Sequence, residues 1–162
     1  MNGQDFISHY GGIYEHSSWV AEEAAALLDD GSSIDTIAKV MADCVDNASG
    51  DKQLALIRAH PDLAGKASIA GELTQDSTVE QASAGLDQCT PGEFERFQSL
   101  NTQYEQKFNF PFVMAVRDST REEILTAFEA RLQNDYDEEF EKALAEIHKI
   151  AGLRLAAMEG DE

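Results

Sequence analysis

The sequence predicts an all-α fold: a single compact domain of seven to eight helices over residues 1–162, with one short extended segment. Three observations predict it. Apolar residues recur at helical spacing along almost the whole chain. Helix-start patterns, a hydroxyl residue followed three positions later by glutamate, occur three times. Only one stretch, "FPFVMAV" at 110–116, has the continuous apolar run of a strand. A length of 162 residues and a 43% hydrophobic content suit one packed globule, and no repeat, low-complexity linker or compositional break divides it.

In chain order, "SSWVAEEAAALL" at 17–28 places serines where an N-cap belongs, with strong helix formers behind them. The next helix begins near Ser33 and puts Ile34, Ile37, Ala38, Met41, Cys44, Val45 and Ala48 on one stripe. "LIRAHPDLAGK" at 56–66 reads as the end of an apolar helix. Pro61 pushes the residue before it out of the helical region, which predicts a boundary at His60. Between Leu63 and Asp76, Gly65 and Gly71 interrupt the pattern, which predicts a loop with one helical turn. Three capping boxes then predict helix starts at Ser77 with Glu80, Thr90 with Glu93, and Ser119 with Glu122; Pro91 at the first helical position supports the second. The last helix is predicted from about Glu138 to Met158, with Phe140, Leu144, Ile147, Ala151, Leu155 and Met158 on its apolar stripe. Arg154 falls on that same stripe.

The chain carries 31 acidic and 12 basic residues, a formal charge of -19, which disfavours nucleic acid and anionic membranes as partners. An anionic ligand must therefore meet a few placed cations. Two cysteines, Cys44 and Cys89, match no disulfide framework, zinc site or redox motif, and no long apolar run or export signal is present, so a cytoplasmic home is expected. The four histidines are too scattered for a metal site, and neither a phosphate loop nor a serine elbow occurs. Any enzymatic chemistry here is expected to be acid–base work without metal or cofactor.

His60 is the leading residue for such work, since imidazole titrates near neutral pH; a packing or surface role is the plain alternative. Ser77 and Glu80 have an ordinary capping explanation, yet a helix N-terminus also presents N–H groups to a polar ligand. Gln81 adds an amide donor and acceptor suited to a urea-like edge. Arg154 needs a partner on its apolar stripe, either a glutamate or a ligand carboxylate. The segment around Pro111 is either plain core or a source of backbone N–H groups for ligand carbonyls.

Taken together, "GGIYEHSSWVAE" (11–22), "LALIRAHPDLAGK" (54–66), "LTQDSTVEQASAGL" (73–86), "LNTQYEQKFNFPFVMAV" (100–116) and "EIHKIAGLRL" (146–155) resemble the 2-oxo-4-hydroxy-4-carboxy-5-ureidoimidazoline (OHCU) decarboxylases of urate catabolism. The resemblance implies a cofactor-independent lyase that releases carbon dioxide and leaves (S)-allantoin, in an all-helical and commonly dimeric fold. It implies His60 as the catalytic histidine with Glu80 orienting it or the substrate, and Pro61 as the binding position beside it. Ser77, Thr78, Val79, Glu80 and Gln81 match the substrate-binding helix start, Phe112, Val113, Met114, Ala115 and Val116 the segment whose backbone meets the ligand, and Arg154 the arginine that closes the pocket. Two positions depart from the family pattern, Ser18 for proline and Asn109 for glycine; asparagine tolerates a left-handed backbone. A non-catalytic helical binding module is the rival reading, and a lyase or hydrolase for another ureide is a third.

Overall fold

The computed structural model describes residues 3–29, 31–64, 73–117 and 119–160, and among these it is all-α, with eight α-helices, one short 3-10 helix and no strand. Most of the predicted loop between Leu63 and Asp76 lies outside the described residues. The chain divides into two compact units, Met1–Ala59 with Ile147–Glu162, and His60–Glu146.

The first unit contains α1 (Gly3–Tyr10), α2 (Trp19–Ala25), α3 (Ile34–Asp46) and α4 (Gly50–Arg58), and α2 lies against both α1 and α3. The sequence reading does not pick out α1. Ser33 caps α3 by accepting from the Thr36 N–H, and the residues that reach full burial on its predicted stripe are Ile37, Met41 and Val45. Cys44, on the edge of that stripe, is half-buried. Ser18 precedes α2 in a helical conformation and makes no side-chain cap bond, so the serine cap predicted there is absent. Ser17 instead donates its hydroxyl to the Glu15 carbonyl. The helix before His60 stops at Arg58, as Pro61 requires.

The second unit contains α5 (Gln75–Ser83), a 3-10 helix (Leu86–Gln88), α6 (Pro91–Phe108) and α7 (Arg121–Arg131). The final helix α8 (Tyr136–Gly160) gives its residues up to Glu146 to this unit and the following ones to the first. Thr90 and Glu93 form the predicted capping box. Two other starts are corrected. Thr74, not Ser77, caps α5 and accepts from the Ser77 N–H, which places Ser77 and Glu80 inside the helix. Thr120 with Glu123, not Ser119 with Glu122, forms the box of α7, because the Ser119 N–H is spent in a turn on the Val116 carbonyl.

Residues 111–116 form no strand. Asn109 ends α6 in the left-handed conformation (φ 61°), the role glycine fills at many helix ends, and the chain then runs on irregularly. Phe110, Phe112, Val113 and Val116 are buried, and the Phe112 ring stacks on Phe128 at 3.9 Å between centroids. Tyr104 meets Phe108, Phe110, Phe112 and Phe128 in the same aromatic core.

Candidate active site

In the second unit, His60 is 7% exposed and opens a loop whose main chain is held by amide side chains. Gln81, buried on α5, accepts from the Ala64 N–H (3.0 Å) and donates to the Asp62 carbonyl (3.3 Å). From α6, Gln98 donates to the Ala64 carbonyl (2.7 Å) and Asn101 to the Leu63 carbonyl (3.0 Å). Ala64 is left-handed (φ 52°), a conformation that costs an L-residue roughly 1–2 kcal/mol and persists only where surroundings hold it. Four backbone groups satisfied by three amides supply that hold.

Within the predicted binding helix the structure separates the residues. Ser77 and Gln81 are buried and Glu80 is half-buried, whereas Thr78 and Val79 are exposed. The Thr78 hydroxyl donates back to the Thr74 carbonyl of its own helix, and Val79 is 61% exposed, so neither belongs to the buried group around the loop. Gln81, read from the sequence as a reader of a urea-like edge, spends one amide N–H and one carbonyl lone pair on the loop. Its second N–H and second lone pair are the capacity that remains for a ligand.

The segment 112–116 is likewise held by side chains. Arg131, 6% exposed, donates to the Val113 carbonyl and to Glu139 (2.8 Å), and its guanidinium lies 4.3 Å from the centre of the Phe112 ring. Glu139 is fully buried and also accepts from the Tyr104 hydroxyl (2.6 Å) and from Asn134 (2.9 Å). Burial and the bond to Glu139 push the Tyr104 hydroxyl well above the usual phenol range, so it stays a donor. Glu146 accepts from the Ala115 N–H (3.3 Å), so that N–H, one of those predicted to meet a ligand, already has a protein partner. Met114 and Ala115 are half-buried in this segment.

Asp62, beside Pro61, has an Oδ1 atom that is buried without a hydrogen-bond partner. Burial first, and the neighbouring Glu105 carboxyl second, push its pKa up to about 6. Among the described residues, no group of three or more histidine, cysteine or acidic side chains is arranged to hold a metal ion.

Arg154 belongs to the first unit, where it forms a buried ion pair with Glu15 (2.8 Å) and donates to the Ile13 carbonyl (3.3 Å). Of the two partners weighed for it, the internal glutamate is present. Sequence reasoning did not anticipate Gln98, Asn101, Arg131 or Glu139. A buried charge on the apolar face of α8 was the signal available for Glu139.

The family profile described as OHCU decarboxylase matches residues 1–156 of this chain. The chain belongs to the OHCU decarboxylase family. A 2-oxo-4-hydroxy-4-carboxy-5-ureidoimidazoline decarboxylase of Haloferax volcanii is 45% identical over 156 residues, covering 96% of this chain and 90% of the relative. A uric acid degradation bifunctional protein of a Bacillus species is 43% identical over 96% of this chain, which matches 30% of its length. Among solved structures, an (S)-allantoin synthase superposes with a TM-score of 0.75 at 35% identity, over 97% of this chain and 50% of the other. The all-helical fold implied by the resemblance is the fold observed.

Proposed function

We propose that this chain decarboxylates OHCU to (S)-allantoin in urate degradation, without a cofactor, and that His60 delivers the proton. Family membership over residues 1–156 gives the reaction; the observation that carries the mechanism is a buried histidine on a loop fixed at four main-chain groups.

The chemistry asks for little else. Breaking the bond to the carboxyl group releases carbon dioxide and leaves an electron pair, which the adjacent ring C=N takes up. The ring nitrogen takes up a proton and an enol is left. Its hydroxyl then gives up a proton to become the ring carbonyl while the former C=N carbon, which bears the ureido group, is protonated on one face, and this sets the single stereocentre. His60 serves as donor in that step, with Glu80 orienting it or the substrate hydroxyl. Gln81 uses its remaining N–H and lone pair on the ureido group, and the backbone of 112–116 meets ring carbonyls. Pro61 and Ser77 complete the binding set, and Arg154 is assigned to substrate binding on the family resemblance alone. Fixing these groups in advance is the positioning contribution of a small site. A homodimer in the cytoplasm is the expected setting.

The test is circular dichroism of urate converted in situ by urate oxidase and hydroxyisourate hydrolase. Rapid growth of a persistent (S)-allantoin signal, lost in His60→Asn, is the expected result. Slow formation of racemic allantoin at the spontaneous rate, from folded protein, would favour a non-catalytic binding module.

A further inference from the structure

Gln98 and Asn101 lie three residues apart, on one face of α6, and both donate to the loop that follows His60. Their targets, the carbonyls of Ala64 and Leu63, are 34 and 38 positions away in sequence, so these bonds are tertiary and not part of any helix cap. Asn101 is 5% exposed, and an apolar side chain would fill its place in the interior with less desolvation. Ala64 between them holds a left-handed backbone that nothing in an alanine side chain favours. Pro61 fixes φ at the start of this loop and the two amides fix its far end, which leaves the intervening chain little freedom.

We propose that Gln98 and Asn101 are positioning residues of the decarboxylase: by clamping the carbonyls of Ala64 and Leu63 they set the direction from which the His60 imidazole addresses the substrate. The inference rests on the reading of His60 as proton donor. Neither side chain has to touch substrate. Their removal leaves the pocket chemistry intact and lets the donor wander, and a misplacement of about 1 Å can cost up to roughly 10²-fold in rate.

The experiment uses Gln98→Met and Asn101→Leu, near-isosteric changes that delete the donors, with kcat, KM and the His60 ring signals in proton–carbon NMR spectra as readouts. Each variant should lose about tenfold in kcat, keep KM within about twofold, and displace the His60 ring signals. A kcat within twofold of the parent, or a reduced kcat with unmoved His60 signals, overturns the proposal. Asn101→Asp guards against misfolding of the leucine variant. Its carboxyl donates to the Leu63 carbonyl only when protonated, so its kcat relative to the parent should fall as pH rises, and a flat ratio overturns the clamp. His60→Asn run in parallel separates the two ideas. Full turnover there removes the proton-donor reading beneath the proposal, whereas lost turnover there with unchanged kcat in the clamp variants removes the proposal alone.

Discussion

Changing Glu139 to glutamine tests whether the buried charges beneath the 112–116 segment depend on one another. Glu139 is fully buried and accepts three hydrogen bonds, from Arg131, Tyr104 and Asn134. Glutamine keeps the shape and one oxygen, which can still serve Arg131 and Tyr104 as a neutral acceptor. Its amide nitrogen then faces the Asn134 donor, and that bond is lost. Weakening two charge-assisted bonds to neutral ones costs about 1–1.5 kcal/mol each, and the lost bond about 1 kcal/mol. The total, about 3–4 kcal/mol, agrees with the roughly 3–5 kcal/mol expected when one partner of a buried ion pair is removed. For a chain of this size the melting temperature should fall by roughly 6–15 °C. Urea unfolding at neutral pH and thermal scans measure it, with Glu129→Gln as control: Glu129 pairs with Arg96 at half-exposed positions and should lose at most about 1 kcal/mol. Equal losses from the two substitutions would refute the reasoning.

Asp62→Asn should flatten the pH dependence of stability. The folded protein holds the Asp62 proton up to about pH 6, against an ordinary value of 3.8, so between these pH values the native state binds more protons than the unfolded chain. Stability from this group is therefore greatest in acid and falls as pH rises through that window. Urea unfolding should find the asparagine variant more stable than the parent at pH 7.5 and not at pH 4.5; the same difference at both pH values would contradict the assignment. The corrected start of α7 predicts that Thr120→Ala costs about 1 kcal/mol and Ser119→Ala only a few tenths, measured by thermal unfolding. The reverse order would restore the sequence-based start.

How much of this was legible in the sequence depends on how far each signal reaches. The Thr90 box was readable because all its partners lie within one turn. At "STREE" two boxes are offset by one residue, and the choice is made by a turn that engages the Ser119 N–H from upstream. At Ser77 a well-formed local pattern loses to Thr74, which starts the helix three residues earlier and so carries Ser77 into its interior. The apolar run at 110–116 mimicked a strand because it is buried, yet the groups that satisfy it are Arg131 and Glu146, side chains from 18 and 31 residues away. His60, Gln81 and Arg154 were visible as residue types out of place. Gln98 and Asn101 were not, since an amide on a helix surface is ordinary until its distant carbonyl is known. Asn109, by contrast, was read correctly as a residue able to adopt the left-handed turn.

The pairing of cations has a consequence for how fast substrate arrives. Of only 12 basic residues, Arg131 and Arg154 are buried against glutamates, and Arg96, Arg121 and Lys52 are matched to Glu129, Glu93 and Glu23. What faces solvent is therefore a field set by the acidic excess, and a substrate bearing a carboxylate diffuses uphill against it. Dissolved salt shortens the reach of that repulsion to about 10 Å at 0.1 M ionic strength and to about 3 Å at 1 M. The encounter step, and with it kcat/KM, is expected to rise with ionic strength, whereas the proton transfer proposed for buried His60 should not respond to it. Ionic strength should then act on capture and leave the proposed chemistry alone, a separation that follows from an acidic excess of 31 residues against 12 and a histidine buried within.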